Sequence, residues 1–321
     1  MRKKRDTGTS HGAVHNGADP AAGEQKTAIR LAEFDGYRGL LFSIAYRMLG
    51  SVADAEDMLQ ETFIRWQQAP DDDIRSPRAF LVTIISRLCI NHMQSARAQR
   101  EVYVGQWLPE PLATDPGSDP MGIVRMDESL SMAFLVLLER LTPVERAVFL
   151  LREVFEYEYS EIASVLNQNE ANCRQILRRA RRHVGEMRPR FKASARKQND
   201  LLERFLQATG SGDLDGLVSL LSSDAVLHAD GGGKAIAVPN VIHGADNIAR
   251  AILGGMRKIA PKDLMPRIVQ LNGEPGVVIY LGGKPFSAFT LHIIGERVSA
   301  IYFITNPEKL SRLPDLPEEP I

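Results

Sequence analysis

Between residues 170 and 197, ten basic side chains (Arg174, Arg178, Arg179, Arg181, Arg182, Arg188, Arg190, Lys192, Arg196 and Lys197) stand against Glu170 and Glu186. The segment therefore carries about +8 in a chain whose formal net charge is −1. A cationic band inside a balanced chain is a polyanion-binding device, because guanidinium and ammonium groups neutralise phosphates. Cys173, Ile176, Leu177, Ala180 and Val184 share one narrow arc of helical phase, which turns Ala171, Gln175, Arg178 and Arg182 outward with Arg174 and Arg179 beside them. Gln175, Arg178 and Arg174 have the chemistry to read base edges, Gln towards adenine and Arg towards guanine, while Arg179, Arg181 and Arg182 suit phosphate. A second cationic surface, with no acidic residue between 87 and 100, is made by Arg87, His92, Arg97 and Arg100. Asp54, Asp57 and Glu61 fall together on one helical face, the pattern of a solvated or a docking surface. For acid–base chemistry the candidates are His228 and Asp230, two apart and so on one strand face, with His243, His292 and Tyr302 elsewhere.

The elements that position these groups follow from periodicity. Leu41, Ile44, Ala45, Met48 and Val52 recur at three and four from about Tyr37, with Gly50 as a stop; a second helix runs from about Val52 to Gln68. Ser76-Pro77 is a cap followed by proline at the first helical position, and Phe80, Leu81, Ile84, Ile85 and Leu88 form the stripe of a third helix. Thr142-Pro143 repeats that start signal. From Ser160, read as a cap, to Val184 the pattern is a helix-turn-helix, with Asn167 to Asn169 as the turn. Beyond Lys197 the period changes: helices at 201–209 and 214–221, a strand at 225–230, and a strand meander over 268–305. The fold class is multidomain, two all-α domains followed by an α+β domain. The expected limits are a disordered leader over 1–27, a helical domain over 28–100, a Pro-rich linker over 101–127, a helix-turn-helix domain over 128–192, the α+β domain over 197–306 and an extended tail over 307–321.

With 44% hydrophobic and 25% charged residues the composition is that of an ordinary globular protein. The densest apolar runs, AFLVTII at 79–85 and AFLVLL at 133–138, have the length of core helices, not of membrane spans. The basic N-terminus is followed by polar residues instead of an apolar segment, so no signal peptide is expected and the cytoplasm is the expected compartment. Cys89 and Cys173 are too few and too far apart for a disulfide framework or a cysteine zinc site, and no metal or cofactor is expected.

The segments DAEDMLQETFIRWQQ (54–68), SPRAFLVTIISRLCINHMQSAR (76–97) and LTPVERAVFLLREVFEYEYSEIASVLNQNEANCRQILRRARRHV (141–184) resemble regions 2 and 4 of extracytoplasmic-function sigma factors. WLPEP at 107–111, DGGGK at 230–234 and NPEKL at 306–310 are similar to the motifs of the subgroup with a C-terminal SnoaL-like extension, a cone related to ketosteroid isomerase. The resemblance implies that Asp54, Asp57 and Glu61 dock on the β′ coiled coil of core RNA polymerase. It implies that Arg87, His92, Arg97 and Arg100 hold the −10 element of promoter DNA, and that Arg174, Gln175, Arg178, Arg179 and Arg182 meet the −35 element. It also makes Trp107, Pro109, Asp230, Gly231, Gly232, Gly233, Lys234, Asn306 and Pro307 the contacts through which the extension regulates the sigma regions, with an unknown small ligand possible in the cone. Two other readings stay open: a cyclase or isomerase tethered to DNA-binding helices, and a helix-turn-helix repressor.

Overall fold

The computed structural model describes residues 20–100, 103–114, 130–185, 194–258 and 260–316. Region 2 is built from α1 (Pro20–Leu49), α2 (Val52–Gln68) and α3 (Pro77–Arg100). Gly50, at φ 68°, ends α1, and Ser51 caps α2 by accepting from the Asp54 N–H. Val52, Ala55, Leu59, Thr62 and Trp66 form the buried stripe of α2. Arg30 ties α1 to the far end of α2: its guanidinium donates to the carbonyls of Trp66, Gln67 and Ala69 and lies over the Trp66 ring. This corrects the expected leader. Helix α1 begins at Pro20, well inside the range 1–27, because Ala, Glu, Gln and Lys after an N-terminal proline make helix without showing an apolar period.

Region 4 comprises α4 (Met132–Leu138), α5 (Pro143–Glu153), α6 (Tyr159–Leu166) and α7 (Glu170–Val184). Thr142 and Glu145 close a full capping box at the start of α5. Ser160 is not the cap of α6; Glu158 is, with Glu161 completing the box, since a carboxylate at that position accepts the same N–H. Leu41, Phe42, Ile44, Trp66 and Ile85 of region 2 share one continuous buried cluster with Leu135, Leu138, Val148, Ile162 and Leu177 of region 4. Both cysteines lie in it, and burial raises both thiol pKa values, so neither is a reactive thiolate.

The extension has α8 (Ala195–Ser211), α9 (Leu214–Leu220), β1 (Leu221–Asp230), β2 (Ile242–His243), α10 (Ala245–Lys258), β3 (Leu264–Leu271), β4 (Glu274–Leu281), β5 (Lys284–Ile294), β6 (Arg297–Ile304) and α11 (Pro307–Leu310). The six strands run β2-β1-β6-β5-β4-β3, with β1 parallel to β6 and every other pair antiparallel. One sheet face packs Leu227, Val277, Phe289, Leu291 and Ile301 against Leu202, Phe205 and Leu217 of α8 and α9 and Ile248 of α10. The opposite face packs Val278, Ala288, Ala300 and Ile304 against Leu108 of the linker and Met132 of α4. On the free edge, Pro266 shares the outward phase of Gln270, whose carbonyl accepts the Thr114 N–H; a proline there leaves no donor exposed and discourages a further strand. The expected tail is packed as well: Leu310 and Leu313 are buried and the Leu316 N–H donates to Gly283. Pro307 starts a short helix and Pro314 follows it, so the described part of the stretch folds back instead of extending. Among the described residues no helix is long and apolar enough to cross a membrane.

Candidate nucleic-acid interface and linker junction

Helix α7 is held by its apolar arc, with Cys173, Ile176, Leu177, Ala180 and Val184 buried. Asn167 ends α6 in the left-handed conformation at φ 52°, where glycine is common and Asn is tolerated, and Asn169 caps α7. Every expected reading residue is exposed: Arg174, Gln175, Arg178, Arg179 and Arg182. They differ in freedom. Arg174 pairs with Glu170 at 2.7 Å and lies over the Tyr159 ring, and Arg181 is tied to Glu153 at 2.5 Å. Gln175, Arg178, Arg179 and Arg182 make no side-chain hydrogen bond to another described residue.

The cationic end of α3 is placed differently. Arg87 donates from Nε to the Val165 carbonyl at 2.8 Å and from a terminal nitrogen to Ser164 at 3.3 Å, at the C-terminus of α6 in region 4. His92 stands 3.6 Å from Asp54. These two line a cleft between regions 2 and 4 with Leu49, Met93, Arg140 and Pro143. The side chains of Arg97 and Arg100 lie outside the described residues. On α2, Asp57 is exposed and Glu61 pairs with Arg65, so the three expected acids do not form one free surface: Asp54 faces the cleft.

Three short motifs meet between the regions. The linker runs from Tyr103 to Thr114 across the outer sheet face. Asp230 is fully buried at the end of β1 and accepts from Tyr103 Oη (2.6 Å), the Leu108 N–H (2.8 Å) and Lys309 Nζ (2.7 Å). Burial and that carboxylate both raise the Tyr103 pKa. Asn306 caps α11, donates from Nδ2 to Tyr103 Oη, and Pro307 begins the helix. Gly231 makes a tight turn by accepting from Lys234 N–H, and Lys234 pairs with Glu308. Gly232 and Gly233 have φ of 60° and 70°, and a Cβ on Gly232 would lie 2.3 Å from Asn306 Nδ2. Gly232→Ala is therefore expected to destabilise the extension by about 1–3 kcal/mol. Gly210→Ala, in α8 with open space around it, is expected to add roughly 0.5–1 kcal/mol; thermal melts of the two variants give opposite signs.

On its other side the linker grips region 2. Trp107 and Pro109 pack at Gly50, the Glu110 carboxylate accepts from the Val52 N–H at 2.7 Å, and its carbonyl accepts from Tyr46 Oη. Asn272, in the β3–β4 turn, donates to the same Tyr46 oxygen, and burial raises the Tyr46 pKa. Arg312, just beyond α11, pairs with Glu56 of α2 at 2.5 Å. Spacing alone pointed to none of Tyr46, Tyr103, Glu110, Asn272 or Lys309; only Lys309 and Glu110 lay inside motif strings.

The acid–base candidates stand on the outer sheet face and not on the face that packs against α8, α9 and α10. His228 stacks on Tyr302 of β6 at 5.4 Å on the outer sheet face, with Nδ1 3.0 Å from Gln106 Oε1 of the linker. Burial lowers its pKa, and burial pushes the Tyr302 hydroxyl up to about 12. His243 and His292 pair with Val226 and Ala300 on that same face.

Two helical bodies, one ending in a helix-turn-helix with an exposed basic face, joined by a clamped linker, are the parts of a promoter-recognising subunit. The Sigma-70 region 2 family matches residues 34–99 and the Sigma-70, region 4 family residues 131–184. The chain is 37% identical over 298 residues to the ECF RNA polymerase sigma factor SigJ of Mycobacterium tuberculosis (strain ATCC 25618 / H37Rv), covering 89% of this chain and 95% of that one. It is 31% identical over 284 residues to a probable ECF RNA polymerase sigma factor, SigI, of M. tuberculosis (strain CDC 1551 / Oshkosh), covering 88% and 95%. The crystal structure of M. tuberculosis SigJ matches with a TM-score of 0.73 at 34% identity, over 88% of this chain and 99% of that one. The chain belongs to the extracytoplasmic-function sigma factors, the subunits that direct RNA polymerase to promoters for transcription initiation. Its C-terminal part is the expected α+β domain.

Proposed function

We propose that this sigma factor docks on the β′ coiled coil of core polymerase through the exposed acids of α2 in the cytoplasm, reads the −35 element with α7 and the −10 element with the end of α3, and is regulated in cis by its extension. The observation that carries the regulatory reading is the position of Arg87. The group expected to hold −10 phosphates is instead hydrogen-bonded to region 4, and the two regions share one core. Elements about 25 base pairs apart lie roughly 85 Å apart on B-DNA. Regions in direct contact do not engage both, so initiation requires that they separate, and the clamped linker opposes separation.

The decisive experiment is run-off transcription with core polymerase, comparing the full chain with truncations from Asn306 onward; equal output at all concentrations excludes regulation by the extension. The reading of α7 has its own test. Gln175→Ala and Arg178→Ala are expected to cost about 1–3 kcal/mol on the cognate −35 duplex and little on a scrambled one. Arg182→Ala is expected to weaken both equally and reduce the salt dependence. Equal losses on both duplexes for Gln175→Ala and Arg178→Ala remove the assignment of base reading.

A further inference from the structure

The ammonium of Lys309 sits in a cage made by other parts of the chain. Its Nζ lies 4.2 Å from the centroid of the Trp107 ring and 5.2 Å from that of Tyr103. It stands 2.7 Å from Asp230 Oδ2 and donates to the Leu108 carbonyl. Two aromatic faces, a fully buried carboxylate and a backbone carbonyl are the chemistry that recognises an organic ammonium ion. The walls come from the linker and β1, whereas the occupant comes from α11, a helix of 4 residues.

We propose that this cage is a binding site for small primary alkylammonium ions, filled in cis by Lys309 and open to a free alkylammonium when that side chain is withdrawn. A primary ammonium keeps the N–H donors that Asp230 and Leu108 accept and brings its charge to the two ring faces where the Lys309 nitrogen now sits; a sodium ion has no N–H to donate. Tethering gives Lys309 an effective concentration in the millimolar range or above, so a free amine does not displace it at low concentration. The proposal rests on the clamp described above but not on its effect on transcription, because its test is a binding measurement without polymerase.

Full-length Lys309→Ala protein is titrated with methylammonium chloride, and separately with sodium chloride at equal ionic strength, following tryptophan fluorescence and the melting temperature. Trp66 is buried in region 2, so a change on titration reports Trp107. The expected result is a saturable response to methylammonium alone, with half-saturation in the millimolar range. Wild type gives no saturable response over the same range, and Lys309→Ala/Asp230→Asn binds at least about tenfold more weakly. Lys309→Ser carries the same titration if the alanine variant does not fold. An identical response to sodium, an unchanged response in the Asp230→Asn background, or no response in either Lys309 variant overturns the proposal. Binding with transcription indifferent to the junction overturns regulation in cis alone.

Discussion

Reversing Asp57 and Glu61 to Lys is expected to abolish association with core polymerase while the helical fold survives. Asp57 is exposed, and the 2.7 Å pair between Glu61 and Arg65 is a surface i,i+4 contact of the kind that contributes only a few tenths of a kcal/mol to folding. Near them on the exposed surface of α2 stands Ile64, 47% exposed, an aliphatic side chain beside the acids. Placing two cations where acids meet a complementary surface costs several kcal/mol, about a hundredfold or more in affinity. Asp54 is spared from the variant because it stands beside His92 in the cleft lined by both regions, away from the exposed face of α2. Co-elution with core enzyme is the measurement, with circular dichroism as the control for folding. A double variant that co-elutes at wild-type yield moves the docking face elsewhere.

The second large effect is expected at Asp230. Asp230→Ala leaves the Lys309 ammonium, whose side chain is 12% exposed, without its carboxylate, and deprives Tyr103 Oη and the Leu108 N–H of their acceptor. Removing one partner of a buried, hydrogen-bonded ion pair costs about 3–5 kcal/mol. For an extension of this size the unfolding transition falls on the order of 10 °C. The linker loses its hold on the sheet at the same time, so run-off transcription from a cognate promoter changes with the melt. Removal of residues from Asn306 onward, which takes away Lys309, Asn306 and the buried Leu310 and Leu313, is expected to act in the same direction. A variant that melts early yet transcribes as wild type separates stability from regulation and leaves the extension as a passenger.

Local signals were legible in the sequence where the physics is local. The cap-then-proline starts at Thr142-Pro143 and Ser76-Pro77, the stop at Gly50 and the left-handed Asn167 each depend on residues within one turn, and the structure has them all, adding Glu145 to the cap at Thr142. Helix α10 was not assigned from the sequence: Ile248, Ala249, Ile252 and Leu253 carry its stripe, but Gly254 and Gly255 lower the helix propensity of the segment, and packing on β1 overrides it. The face of the sheet on which His228 and Asp230 stand could be read as shared, but not which side of the sheet the helices cover. The junction was least legible. Tyr46 and Asn272 are hydrogen-bonded across 226 positions, and Tyr103 and Asn306 across 203, separations over which no spacing rule operates. The motif resemblance flagged Trp107, Asp230 and Asn306 without supplying the contacts that join them.

The linker clamp also sets a leash. With Thr114 held at the sheet edge, fifteen residues separate it from Leu130, and at about 3.4 Å each they reach no more than roughly 50 Å. Freeing the chain from Tyr103 onward raises that ceiling to about 90 Å, on either side of the roughly 85 Å between the two promoter elements. Holding a dozen residues against the sheet thus shortens the radius region 4 can explore around region 2. In the regulation proposed above, the extension sets how far apart the two helical bodies can travel without touching the exposed basic face of α7.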